Sequence, residues 1–426
     1  MKRGTKCDAG FSLIEVLLAT ALLMTIVGVT MQALSSAINA NQAVTLMADT
    51  QENLRASLNY MTKDIIQSGE GIPQGGITIP NSGGAAPLSA LNRPLPPGAP
   101  PPATFPTSWT ALPAIAPGYQ LGLPDQVANP ALQNVTVAGA NTDIITVMYA
   151  DTTLQDAAGN WMNRFPIRES PYAGCAAGAG SPNGTIATAG NTTTITFDPT
   201  CININSGNTS PNVGDLILLQ NNSSGCAASG SLVASDSCDA NNPSNPGNMA
   251  LLVVTGVNLA GNALTFTCGD AFALNCSGLA TGTITQMQTG GSWNNVTVTA
   301  TRVWMVSYYI STAAPASLMR PMLMRQVNMN TAQPVGEVIE NMQIFYDVLS
   351  AGSSPPTLLA PAENENPLNA GLGAGWGVGA LPYIRDCYVL LYARSETPYT
   401  QTNLYFRNNL ETVISIRGLD FYNQFQ

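Results

Sequence analysis

Gly10-Phe11-Ser12-Leu13-Ile14-Glu15 sets a single carboxylate at the head of the apolar run Val16 to Leu34. No Asp, Glu, Lys or Arg occurs again until Asp49. The apolar stretch from Phe11 to Leu34 exceeds the ~20 residues a helix needs to cross a bilayer. A charged side chain at mid-bilayer depth costs roughly 2.5–3.5 kcal/mol on insertion scales, so Glu15 requires a partner or a role. Lys2, Arg3 and Lys6 precede the run against only Asp8. That bias holds the N-terminus in the cytoplasm and sends the remainder outward.

Two simpler readings compete. A secretory signal peptide has the same cationic start, but its apolar core is shorter and ends at a small-x-small cleavage site. Here Ser35-Ser36-Ala37 leads into no convincing mature start. A plain membrane anchor accounts for the length and leaves Glu15 without a purpose.

On these residues the chain resembles the type IV prepilins. The resemblance implies that residues 1–10 are a cytoplasmic leader, that a prepilin peptidase cuts between Gly10 and Phe11, and that Phe11 is then N-methylated. It implies further that Glu15 guides docking of the subunit into a filament. A carboxylate close to a new N-terminal amine in a medium of low dielectric attracts it by several kcal/mol, which offsets much of the burial cost. Glu15 is therefore expected to pair with the N-terminal amine of an adjacent subunit and to set assembly register.

Helical periodicity continues beyond the membrane segment. Met47, Leu54, Leu58, Met61 and Ile65 fall on one face, and Ser68-Gly69 with Gly71 and Pro73 supplies a stop. The expectation is one helix from Phe11 to about Gln67, about 85 Å long, with residues 11–34 in the membrane and 35–68 outside it. Thr25-Ile26-Val27-Gly28-Val29-Thr30 concentrates poor helix formers, a place for local melting on assembly.

Residues 69–134 are rich in Pro, Gly, Ala and Ser, with Pro94 to Pro102 at the extreme. They read as extended loop from which no core is built. From Val135 the signal changes to short β-prone runs: Thr142–Tyr149, Thr192–Phe197, Asp215–Leu219, Ala250–Val257, Ala263–Thr267, Val296–Ile310, Val338–Tyr346, Tyr388–Tyr392, Leu404–Phe406 and Thr412–Ile416. The fold class expected is α+β: a long helix packed on one antiparallel sheet that forms a head over 135–426, with a cysteine-bearing insertion at about 151–290.

Only 9% of residues are charged, against ~25% in ordinary soluble proteins. Loss of the leader would leave 12 basic residues against 24 acidic. That balance disfavours nucleic acid, whose binding needs basic clusters. Cys175, Cys201, Cys226, Cys238, Cys268 and Cys276 share one loop-rich region. In an exported chain they read as disulfides, free buried thiols being the alternative. Pairing in sequence order would close three short loops. Cys387, inside an apolar strand-like run, reads as a core residue.

There is no histidine, which removes Ser-His-Asp and Cys-His triads and His-ligated metals. Glu363 with Glu365, and Asp236 with Asp239, are acidic pairs in loops without EF-hand spacing. Gly371 to Gly377 has no Lys after it and reads as a loop rather than a phosphate cradle. The five tryptophans read as packing residues. No catalytic residue, cofactor or metal is expected, and no enzyme.

A second tier of motifs sharpens the resemblance. Tyr60-Met61-Thr62-Lys63-Asp64-Ile65, Val213-Gly214-Asp215-Leu216, Leu323-Met324-Arg325, Ile339 to Tyr346, Leu391 to Ser395 and Val413 to Arg417 are similar, in order, to elements of W-type minor pilins. The J-type pseudopilins of type II secretion share the layout. The departures are the proline-rich stretch, the insertion and Gly418. The resemblance implies a low-copy subunit of an initiating or tip complex, with other minor pilins, a major pilin, prepilin peptidase and an inner-membrane assembly platform as partners. It implies an inner-membrane protein, head outward, that passes to the cell surface on assembly. A pseudopilin and a tip adhesin acting through the insertion are the alternatives.

Overall fold

The computed structural model describes residues 12–73, 76–80, 111–122, 141–151, 184–202, 211–221, 249–270, 298–311, 321–328, 330–350 and 383–416, with shorter pieces between. Its architecture is α+β. One helix, α1 (Leu13–Ile66, 54 residues), runs for about 80 Å. It is unbroken through Thr25–Thr30, the stretch expected to melt only on assembly.

The first seven strands are β1 (Ile77–Thr78), β2 (Ala111–Leu112), β3 (Ile115–Gly118), β4 (Ile144–Ala150), β5 (Leu154–Gln155), β6 (Trp161–Met162) and β7 (Phe165–Arg168), the last three within the expected insertion. There follow β8 (Thr185–Ala189), β9 (Thr192–Thr196), β10 (Leu216–Asn221), β11 (Met249–Val253), β12 (Gly256–Asn258) and β13 (Ala263–Thr267). The remainder is β14 (Val298–Ser311), β15 (Met322–Val327), β16 (Gln333–Glu337), β17 (Ile339–Val348), β18 (Ile384–Arg394) and β19 (Arg407–Ser415).

These strands do not form one sheet, as the sequence led us to expect. β14 is the spine of an eight-stranded antiparallel sheet. Along one edge it pairs with β10 and then β15, and along the other with β7 and then β4. A second sheet has the order β17-β18-β19, and a third the order β12-β13-β9-β8. Leu404 makes only an isolated bridge to Tyr399, so the expected strand at 404–406 is absent.

Strand alternation explains the layering. Leu216 and Leu218 of β10, with Met249, Leu251 and Val253 of β11, face the main core. Ile217, Leu219, Ala250 and Leu252 face a second core, which the four-stranded sheet closes with Ile186, Ile195, Leu264 and Phe266. Strands buried on both faces read as continuous apolar runs. The Asp215–Leu219 run is such a case.

The helix enters the main core through Leu54, Leu58, Met61 and Ile65. Met47 departs from expectation, being 42% exposed, because the first buried helical residue is Thr50. Below Thr50, among the described residues, the head meets the helix only at its margin, where the Thr400 hydroxyl donates to Gln42.

The ends of the Pro/Gly-rich segment also require correction. Ile77, Ile79, Leu112, Ala114, Ile115 and Ala116 are all buried in the main core. β1 pairs with β2, and β3 extends the main sheet beside β4. Isolated apolar residues among prolines show no periodicity, so a core contribution of this kind escapes pattern reading. Pro94 to Pro102 lies outside the described residues.

Gly76 shows how tightly this segment is seated. It has φ +80°, and a Cβ there would stand 2.5 Å from the carbonyl oxygen of Leu112. Backbone atoms cannot yield as side chains do. Gly76→Ala is expected to destabilise the protein by roughly 1–3 kcal/mol, read as a lowered midpoint in thermal unfolding. An unchanged midpoint would mean that β1 and β2 contribute nothing to the fold.

Candidate functional site

α1 begins with a closed capping box. The Ser12 N–H donates to Glu15 Oε2 (3.0 Å), and the Glu15 N–H donates to Ser12 Oγ (3.3 Å). Two of the helix's first N–H groups are thereby satisfied within the chain. Glu15 is exposed, as are the residues that follow to Ile38. Gly10 and Phe11 lie outside the described residues.

The 18-residue apolar window of α1 has a mean hydropathy of 2.2 and no buried residue. Its length and composition fit a membrane anchor. Thr20, Thr25 and Thr30 donate their hydroxyls to the carbonyls of Leu17 (2.9 Å), Leu22 (2.7 Å) and Val27 (2.9 Å). These bonds leave the threonine hydroxyls already partnered, as an apolar environment requires.

At the other end of α1, Asp64 is buried among three strands of the main sheet. Its carboxylate accepts from the Tyr149 hydroxyl of β4 (2.9 Å) and the Tyr308 hydroxyl of β14 (2.5 Å). Arg325 of β15 adds two further bonds, Nε at 2.7 Å and Nη2 at 3.1 Å. One helical side chain thus ties three strands to α1. Burial, and then the adjacent Asp64 charge, push both tyrosine pKa values well above the ordinary phenol range. The phenols remain donors at any physiological pH.

A second buried cluster joins Asp151, Asp215 and Arg302. Arg302 bonds Asp151 and lies 3.9 Å from Asp215. The guanidinium also sits 5.0 Å from the centroid of the Trp304 ring. Asp215 accepts from the Asn212 N–H at 2.9 Å. Burial raises its pKa above the ordinary carboxylate value, with the Asn212 bond and Arg302 opposing. In a third cluster Glu340 accepts from Arg407 and pairs with Arg394, which lies 4.1 Å from the Tyr405 ring centroid.

Of the expected cysteines, Cys201 and Cys268 are disulfide-bonded. Cys175, Cys226, Cys238 and Cys276 lie outside the described residues, and with them the order of pairing. Cys387 is free and buried at the centre of β18, and burial raises its thiol pKa. The acidic pairs at Glu363–Glu365 and Asp236–Asp239, and the glycines 371–377, are also outside the described residues. Among the described residues no group of His, Cys, Asp or Glu is arranged to hold a metal.

Composition carried a signal for these clusters. In a chain with so few charges, each one beside an apolar run needs a partner, and Asp215, Arg325, Glu340 and Arg394 sit beside such runs, while Asp64 is masked by its neighbour Lys63. Which of them meet is a matter of topology. No protein-family model, curated protein or solved structure matches the chain.

Two variants test the clusters. Asp64→Ala strands two buried hydroxyls and a guanidinium, a loss of about 3–5 kcal/mol. The lower end is expected, since Arg325 keeps 27% of its side chain in solvent. Denaturant unfolding of Asp64→Ala, Arg325→Ala and the double variant should give losses that do not add. Additive losses would mean that the two side chains do not interact.

Asp215 acts in the opposite sense. A carboxyl pKa raised by folding contributes stability below the unfolded value, ~3.9, which is lost as pH rises through the folded one. Asp215→Asn keeps an acceptor for Asn212 and removes that loss. The variant should match or exceed the parent's melting temperature at pH 7, with a smaller advantage at pH 4. Equal destabilisation at both values would refute the assignment.

Proposed function

We propose that the chain is a non-enzymatic minor pilin, a low-copy subunit of a complex that initiates or caps a type IV pilus. A membrane-anchored helix whose second half is fixed to a β-rich head supports this reading. The carrying observation is the division of α1. Its residues 13–38 are exposed and predominantly apolar, while Leu54 to Ile65 are locked into the core. A free apolar half of this kind suits both a bilayer and the helical centre of a filament.

In this reading the peptidase cuts after Gly10, Phe11 is methylated, and α1 holds the head outside the inner membrane. Assembly draws the free half of α1 from lipid into the filament core. The capping box gives Glu15 a partner in the same chain while the helix waits in the membrane. On docking, the carboxylate turns from the Ser12 N–H to the amine of a neighbour.

The test separates processing from docking. Glu15→Gln keeps an acceptor for the Ser12 N–H and removes the charge. It is expected to be cleaved and inserted normally but to fall at least tenfold in sheared filaments, measured by quantitative immunoblot. Normal incorporation would sink the role assigned to Glu15. Loss of protein secretion with intact surface filaments, on deletion of the whole chain, would assign it to a secretion pseudopilus instead.

A further inference from the structure

The loop that joins β18 to β19 hangs beside α1. Its segment Thr397-Pro398-Tyr399-Thr400-Gln401-Thr402-Asn403-Leu404-Tyr405-Phe406 carries no charged residue. The loop closes on itself. The Tyr399 N–H donates to the Leu404 carbonyl (2.8 Å), and the Asn403 N–H returns to the Tyr399 carbonyl (2.8 Å) with φ +55° at Asn403. Ser395 ties the base, its N–H donating to the Phe406 carbonyl and its hydroxyl accepting from the Phe406 N–H. Backbone groups partnered in this way lose little on leaving bulk water. Leu404 is nonetheless 39% exposed, and Tyr399, Tyr405 and Phe406 are partly exposed.

The position of the loop along α1 is fixed by the Thr400 hydroxyl, which donates to Gln42 (2.6 Å). Asn39, Gln42, Ala43 and Leu46 fall on one face of the helix, and they are the partly covered residues of α1 below Thr50. Gln42 lies about 12 Å along the helix beyond Leu34, where the apolar run ends. That run, Phe11 to Leu34, is about 36 Å long as a helix, against ~30 Å of bilayer hydrocarbon. An overlong span tilts, and aromatic side chains at the interface set the direction. A tilt of about 30° fits the run to the hydrocarbon and leaves Gln42 about 10 Å above it. If the tilt is toward the loop, a group seated ~10 Å from the helix axis drops a further 5 Å or so, into the headgroup layer.

We propose that this loop is a second membrane contact, resting among the lipid headgroups on the side of the bilayer where α1 emerges toward the head. Leu404 supplies the apolar contact, and the tyrosines, apolar in body and polar at the tip, suit the same layer. The occupant is lipid because the anchor itself brings the loop to this depth, with or without a partner protein. An uncharged loop on an acidic chain does not select anionic lipid. The head is then held to the membrane at two points and leans in one direction. This inference rests on α1 as a membrane anchor and not on the filament role proposed above.

Fluorescence quenching by brominated lipid, in nanodiscs holding one full-length chain, tests the proposal. A fluorescent residue is placed at Gln401, exposed at the loop tip, at Met24 within the apolar run, or at Val213. Val213 precedes Asp215, whose cluster with Arg302 and Asp151 lies beside Glu70 at the far end of α1. Phosphatidylcholine brominated near the headgroup is expected to quench Gln401 and not Val213, and brominated phosphatidylglycerol to do so equally. Leu404→Asp, at an already exposed position, should bring Gln401 quenching down to the Val213 level with an unchanged melting temperature. Quenching at Met24 by lipid brominated deep in the acyl chain, with none at Gln401, overturns the contact and leaves the anchor standing. No quenching at Met24 overturns contact and anchor together. A contact that needs phosphatidylglycerol overturns the account of an uncharged loop. A photoreactive residue at Gln401 that captures protein and no lipid in cells overturns the choice of occupant.

Discussion

The carboxylate of Asp64 is the point on which the relation of helix to head depends. Four hydrogen bonds from three strands converge on one side chain in the last turn of α1. Apolar contacts of Leu54, Leu58, Met61 and Ile65 are non-directional and would tolerate rotation or sliding of the helix. A carboxylate held by a guanidinium fork and two phenols does not. Hydrophobic burial supplies the attraction, and Asp64 selects the one register in which no buried charge is stranded.

The turn after the helix is fixed as firmly. The Ser68 hydroxyl donates to the Ala114 carbonyl, the Gly69 N–H to Met148, and the Ala150 N–H to Glu70. Gly71, at φ +68°, brings its Cα so close to Ala150 that a Cβ would stand 2.5 Å from that side chain. Helix, turn and β4 therefore form one rigid corner. A pull along the apolar half of α1 reaches the centre of the main sheet through this corner and through Asp64.

How far these features could be read beforehand follows from whether their signal is periodic or topological. The helix and its end were legible, because its face repeats over several turns and stops at Ser68-Gly69. Most strands were legible as β-branched runs. The division into separate sheets was not, since Ile217 and Leu218 look alike in sequence and face different cores. The contributions of Ile77 and Ile115 were hidden among prolines. Asp64 and Arg325 entered the sequence reading only as parts of two separate motifs, and their meeting across 261 positions is set by the path of the chain and not by either neighbourhood.

Glu15 and Asp64 form an instructive pair, since each is a carboxylate in apolar company near one end of the same helix. Asp64 is satisfied completely within the chain by strong charged donors. Among the described residues, Glu15 accepts only from the neutral N–H of its own cap, on an exposed surface. The cap bond to Glu15 is itself charge-assisted, of the order of 1.5–3 kcal/mol, and what a cationic partner adds is direct charge–charge attraction. A carboxylate held by one neutral donor at a helix start can exchange that donor for an amine at small cost. One held by an arginine and two tyrosines cannot. The two ends of α1 thus differ: the Asp64 end keeps a single arrangement, and the Glu15 end carries the one cap bond that the proposed function has exchanged on docking.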